Sequence, residues 1–192
     1  MTVAFIVDGV TEKKIVQALC PPGTPVRMTN LNGRDVSVTA LAKAIASLYR
    51  TYKGRHFPVF VIVDRETREI SAEALEDAIV EALRSHGIPQ DQVIVGCPDR
   101  MIENWMLADR DYMAKVFGCV VDHSTDGVHG KVTIRHLLRS GGRPYHEITV
   151  GVEIFKRVCP FRVAAQSPSF ARFSKRANTY CPWLRRKRKL PA

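Results

Sequence analysis

Two short stretches of this 192-residue chain place acidic residues where they could act together. In "FIVDGVTEKKIVQAL" (5–19) an apolar run stops at Asp8, and Glu12 follows one helical turn later. In "VFVIVDRE" (59–66) a second apolar run stops at Asp64, with Glu66 just beyond it. Anions held close together raise one another's pKa, and a bound cation is the usual remedy. Hard oxygen ligands of this kind suit Mg2+ or Mn2+ rather than zinc. One or two such ions beside a phosphodiester polarise a phosphoryl oxygen, activate water and stabilise the leaving oxygen. Each acid also has a plainer reading. An Asp after a strand is a common turn residue, a Glu in a first helical turn complements the helix dipole and is kept ionised by it, and Arg65 and Arg68 stand ready to pair with the second cluster. The repetition on two like elements favours a joint site.

The elements that must position these acids read as alternating strands and helices. "VAFIV" (3–7), "VFVIV" (59–63) and "QVIVG" (92–96) are continuous apolar runs, as expected of strands covered on both faces. Between them the spacing predicts a helix capped by Thr11 and ended by "CPPG", a second over 37–50 and a third over 71–85. A single helix over 100–118 carries Ile102, Trp105, Met106 and Met113 inward, and Trp105 reads as core. Short helices are expected at 131–139, 146–158 and 167–178, with a loop at 119–130. The pattern predicts an α/β, Rossmann-like, mainly parallel sheet flanked by helices, and sites in such sheets lie outside the carboxyl ends of the strands. The expected division is an α/β core over 1–118, a helical extension over 119–184 packed on that core, and a basic tail over 185–192.

The net charge of +10 is unevenly placed: residues 151–192 hold eleven Lys/Arg against one acid, whereas 1–150 hold eighteen of each. Such a block favours a polyanion through counterion release, with a solubilising tail as the plainer reading. Arg172, Lys175 and Arg176 fall at helical spacings of three and four and are expected to form a phosphate-tracking stripe, with Phe170 and Phe173 docking the same helix. Arg185, Arg186, Lys187, Arg188 and Lys189 extend the basic surface, and Lys13 beside Glu12 is a further candidate for substrate phosphate. No long apolar segment or leader pattern points to a membrane, and five scattered cysteines without a C-x-x-C pair argue for a reducing, cytoplasmic setting.

"VDGVTEKKIVQAL" resembles the first motif of Toprim domains of the OLD-nuclease and RloB-like branch, an apolar strand followed by E-G-x-T/S-E/D and a helix. "VIVDRE" resembles that family's second motif, a strand ending in D-x-D. "PDRMIENWMLAD" is similar to its I-E-x-W-x-L-x-D segment, and "SPSFARFSKRA" to its S-F-x-x-F-x-x-A ending. The resemblance covers most of 3–110 and returns at 167–177. It implies a Toprim-like fold and a Mg2+- or Mn2+-dependent nuclease acting on DNA or RNA, in phage defence beside a partner ATPase. Asp8, Glu12, Asp64 and Glu66 would then be metal ligands and catalytic residues, Asp8 partly as a general base, and Glu103 an outer ligand. Asp8 stands where the family usually has Glu, and Glu66 where it usually has Asp; both keep the charge and shift the reach by one methylene. These departures support the alternative of a non-catalytic Toprim-like nucleic-acid-binding or regulatory subunit of an ATPase complex.

Other chemistries fit less well. A phosphoaspartyl loop would need a second acid two residues before Asp8, where Ile6 stands, and no G-x-x-x-x-G-K-[ST] occurs. His123, His129 and His136 match no common zinc spacing, whereas His146 and Glu147 in "RPYHE" offer polar groups to a substrate.

Overall fold

The computed structural model describes residues 2–31, 36–118, 120–121 and 124–190. Four strands, β1 (Thr2–Val7), β2 (Val26–Met28), β3 (His56–Ile62) and β4 (Val93–Gly96), form one parallel sheet in the order β2-β1-β3-β4. From β1 the chain steps outward to β2, then returns to the other side of β1 for β3 and β4. The strand order therefore reverses between β1 and β3, and a crevice forms at the carboxyl ends of those two strands. Asp8 and Asp64 follow these two strands.

Alternation along the strands divides the core into two layers. Ala4, Ile6, Val59, Val61, Val63 and Val95 face one side, covered by α2 (Val38–Thr51) through Leu41 and Ile45 and by α3 (Ala72–Ser85) through Leu75, Ile79 and Leu83. Ser37 and Ser71 cap these two helices by accepting from Ala40 N and Ala74 N, as expected of serine in that position. Phe5, Val7, Phe60 and Ile62 face the other side, with the Phe5 and Phe60 rings stacked at 4.9 Å.

This second face is covered by α1 (Val10–Leu19), α4 (Ile102–Leu107), α5 (Arg110–Phe117), α6 (Gly130–Ser140), α7 (Val152–Arg157), α8 (Pro160–Gln166) and α9 (Pro168–Ala177). Trp105 is fully buried between Phe170 and Phe173, and its indole N–H donates to Ser169 Oγ at 2.9 Å. The C-terminal helices thus complete the core. A Cβ at Gly96 would lie 2.5 Å from the Phe173 ring, so α9 packs on β4 as closely as glycine permits.

Several local expectations are corrected. The stretch 100–118 is two helices, because Asp109 leaves the helical path to serve as a buried junction. Its carboxylate caps α5 at Tyr112 N (3.2 Å), accepts from Cys159 N (2.6 Å) and takes Arg162 in a two-pronged pair at 2.6 and 2.9 Å. Gly9, not Thr11, caps α1, and Thr11 is buried inside the first turn. The segment 146–158 begins with a wide turn at Glu147–Gly151 before α7. β2, α8 and a 3-10 turn at Pro182–Arg185 are further elements that the periodicity did not suggest. Cys119, His123 and the last two residues of the expected tail lie outside the described residues.

Removing the Asp109 carboxylate would leave the Arg162 charge, the Cys159 N–H and the start of α5 unanswered at once. Asp109→Ala is therefore expected to lower stability by about 3 kcal/mol or more. Urea unfolding checks this, and a loss below about 1 kcal/mol, the range of a surface pair, would contradict the junction's role.

Candidate functional site

At the crevice, backbone bonds fix the ends of both strands. Asp8 N donates to Ile62 O at 3.1 Å, and Val63 N to Gly96 O at 3.2 Å. The Asp8 side chain is held from β2's side, where Thr29 Oγ1 donates to its Oδ1 at 2.8 Å. Gly9 N donates to Glu12 Oε2 at 3.0 Å, which turns Glu12 back over the helix start. A Cβ on Gly9 would stand 2.9 Å from that oxygen, so any other residue here would displace the Glu12 carboxylate.

The loop after β3 is tied down differently. Arg65 N donates to Pro98 O at 3.2 Å and Glu66 N to Arg100 O at 2.7 Å. Glu66 and Arg100 both take left-handed backbone conformations, with φ of 57° and 80°. These are costly for non-glycine residues and persist where surrounding structure enforces them. Arg65 pairs with Asp99, while the Arg68 guanidinium donates to the carbonyls of Asp64 (3.1 Å), Arg65 (3.0 Å) and Val36 (3.1 Å). Neither arginine is hydrogen-bonded to the Asp64 or Glu66 carboxylate, and Asp64 Oδ1 is buried without a hydrogen-bond partner among the described residues.

Asp8, Glu12, Asp64 and Glu66 line a single cavity of about 380 Å³, together with Lys131 and Glu147. Glu103 is buried beside it and accepts from Tyr145 Oη at 2.9 Å; its charge is felt by Glu12 and Asp64. Lys13, half-buried on α1, does not line the cavity. Among the described residues, no three His, Cys, Asp or Glu side chains are drawn together as metal ligands in this arrangement. Asp8, Glu12 and Glu103 are each turned onto a protein donor.

The electrostatic consequence runs against the dipole argument for Glu12. Burial, and then the charges of Glu103 and Asp8, push its pKa up to about 7, outweighing the hydrogen bonds at the helix start. Burial, reinforced by Glu12, Glu103, Glu66 and Asp8, holds Asp64 well above the usual carboxylate range. Burial also raises Asp8 and Glu103, with the Thr29 and Tyr145 hydroxyls working in the opposite direction.

Lys131 was not foreseen as a site residue. Its Nζ sits 3.0 Å from Glu147 Oε2, and although burial works against the ammonium, the Glu147, Glu103 and Asp64 carboxylates hold its pKa above the ordinary lysine value. Its place is set by Asn104, which accepts from Met101 N (3.1 Å) and donates to Val128 O (3.0 Å). Gly130 packs so tightly on Asn104 that a Cβ would come within 2.7 Å of Oδ1. The nearby His129 caps α6, with Nδ1 accepting from Val132 N at 3.5 Å.

The C-terminal cations do not line this cavity. Arg172 and Arg176 turn inward to Glu76, a buried acid on α3, at 3.7 and 2.6 Å, so the expected free stripe is reduced to the exposed Lys175. Arg186 lines a separate cavity of about 630 Å³ with Thr2, His56, Leu19 and Trp183, at the amino ends of the strands. Lys187 lies over the Phe161 ring at 6.0 Å, and the Arg188 carbonyl accepts from Arg162 at 3.0 Å. Arg185 and Lys189 are exposed. Among the described residues no helix is long and apolar enough to cross a membrane.

With Glu12 and Asp64 titrating above their unfolded-chain values, the folded state binds more protons than the unfolded one between pH 4.5 and about 7. Stability without added metal should therefore fall as pH rises through that window. Thermal melts across the window are expected to show a decline that flattens in Asp64→Asn; identical slopes in the two proteins would contradict the coupling.

No curated protein and no solved structure matches the chain. A family model described as a domain of unknown function, DUF4276, matches residues 7–176, a span that includes every acid of the cavity and both helices that frame it. The chain belongs to the DUF4276 family.

Proposed function

We propose that this protein is a divalent-metal-dependent nuclease, hydrolysing phosphodiester bonds of DNA or RNA at the Asp8–Glu12–Asp64–Glu66 cavity. The observation that carries the reading is Asp64 Oδ1, a buried carboxylate oxygen without a partner, aligned by topology with three more acids at a strand-order reversal. An all-carboxylate donor set with one oxygen already bare fits Mg2+ or Mn2+. Asp64, Asp8 and Glu12 would hold the ion, with Glu66 and Glu147 at the cavity wall and Glu103 behind. Such an ion supplies a polarised phosphoryl oxygen and an acidified water.

The remaining work belongs to the chain itself. Asp8 keeps one oxygen on Thr29, which orients the other toward the cavity. Glu12, poised near neutral pH, is matched to exchanging a proton there, and loading the site would release protons from Glu12 and Asp64. Lys131, once drawn from Glu147, offers its ammonium to a phosphoryl oxygen. The likeness to Toprim nucleases adds a setting, phage defence beside an ATPase, and the same arrangement of acids is what it would require.

A second reading, a non-catalytic nucleic-acid-binding subunit of an ATPase complex, is favoured by the Lys131–Glu147 pair, which already places a cation at the acids, and by the turning of Asp8 and Glu12 onto protein donors. Incubation of the pure protein with supercoiled plasmid and with RNA, in Mg2+, Mn2+ or EDTA, separates the two. The nuclease is expected to nick in metal only and to lose roughly 100-fold or more of its rate in Asp64→Asn and in Glu12→Gln. Cleavage retained by both variants would sink the enzymatic reading, and binding without cleavage in any divalent ion would favour the subunit.

A further inference from the structure

We propose that the nucleic-acid strand delivered to the acidic cavity lies along α6, held by Lys131, Arg135 and Arg139 with Arg143 beyond them, and not along the C-terminal basic segment. The inference rests on the nucleic-acid reading above but not on cleavage. Three cavities adjoin end to end. The acidic one shares Glu147 and Ile148 with a neighbour of about 640 Å³, and that neighbour shares Arg135 and Tyr145 with a third of about 410 Å³ that reaches Arg139 and Arg143. Together they form a trough that starts at the carboxylates and follows one helix.

The helix presents a row of charge to this trough. Lys131, Arg135 and Arg139 recur every fourth residue, so they share a face and advance about 6 Å along the axis per step. That advance is close to the step between successive phosphates of an extended strand. Ile134 and Leu138, fully buried, fix which side of α6 faces inward. The helix itself carries no acid, and its first four residues aside, its cations stand on the solvent side.

The arginines in this row are also uncommitted. Arg135 and Arg139 are exposed and have no ion-pair partner among the described residues. Arg143 is pre-positioned, with its guanidinium over the Phe117 ring at 5.4 Å and a hydrogen bond to Val116 O at 3.1 Å. The C-terminal cations contrast with this in placement: Arg172 and Arg176 serve Glu76, Arg186 opens toward the opposite end of the sheet, and Lys187, Arg185 and Lys189, though exposed, line none of the three cavities. A charge block that is dense in sequence is thus dispersed in space, while a sparser one is lined up on the site.

The test is the binding of short fluorescently labelled single strands of DNA and of RNA to the full chain. Anisotropy is read against salt concentration with EDTA present, so that cleavage does not enter. Arg135→Gln with Arg139→Gln is expected to lower the slope of log affinity against log salt by about 1.4 and to weaken binding roughly 10- to 30-fold near 0.1 M salt, the value of two phosphate contacts. Arg186→Gln with Lys187→Gln and Lys189→Gln should leave both nearly unchanged. Arg135→Lys with Arg139→Lys, which keeps the charge, should restore binding and so separates contact from folding. The proposal is overturned if the tail variant takes the larger loss, if the helix variant binds as wild type does, or if the wild type binds neither strand. Binding that depends on α6 without cleavage in any metal leaves the trough standing and removes only the nuclease.

Discussion

Buried carboxylates are expensive unless something answers their charge, and this fold contains three whose treatment can be compared. Asp109 is met by Arg162 and two backbone N–H groups, and Glu76 by Arg176, Arg172 and Cys97 N. Among the described residues nothing meets Asp64 at Oδ1, although Arg65 and Arg68 are within the next four residues and the chain carries ten cationic charges in excess. The two nearest guanidinium groups are spent on Asp99 and on backbone carbonyls. Arginine that pairs with buried acids elsewhere in the molecule is thus routed around this one. Such a pattern is costly for stability, and it is one of the observations on which the proposed function rests.

The sheet explains why the cost falls here. Parallel strands need covered faces, and the helices on the Phe5–Phe60 side come largely from the last third of the chain. Those helices are fixed to the core by Asp109, by the Trp105–Phe173 stack and by the near-contact of Gly96 with Phe173. The same packing brings α4 and α6 to the carboxyl ends of β1 and β3, with Asn104 bridging them. Lys131 is therefore delivered to the cavity, and Glu103 to a buried place beside it, by the core itself, and the site is built of both the early strands and the late helices.

β1, β3, β4, α2, α3 and the placing of Asp8, Glu12, Asp64 and Glu66 around one cavity were legible because each depends on short-range pattern: an apolar run, a serine cap, an acid at a strand end. What was not legible depends on long-range contact. Nothing local in "NWMLADRDYM" marks Asp109 as a helix break, since its partners Cys159 and Arg162 lie some fifty residues away. The pKa of Glu12 could not be read from its helix position, because burial and the charges of Glu103 and Asp8 outweigh the hydrogen bonds at the helix start. That Arg172 and Arg176 are taken up in ion pairs was not legible either, because their partner Glu76 sits a hundred residues upstream of Arg176. The four-residue recurrence of Lys131, Arg135 and Arg139 was visible in the sequence, yet only the fold connects it to the acids.

Lys131 ties these observations together. An ammonium among carboxylates is the protein's own partial answer to the charge that Asp64 and its neighbours accumulate, and its bond to Glu147 keeps it at the cavity wall. The arrangement is asymmetric: Lys131 belongs at once to the acidic cluster and to the cationic row that leads away from it. A phosphate moving along Arg139 and Arg135 would meet Lys131 last, and would compete with Glu147 for it. Under the proposed function, drawing the ammonium toward the phosphate would leave the carboxylates more exposed to one another and so raise their affinity for a cation as the anion arrives. In the proposed nuclease, coupling of this kind would make strand and divalent ion each favour the binding of the other.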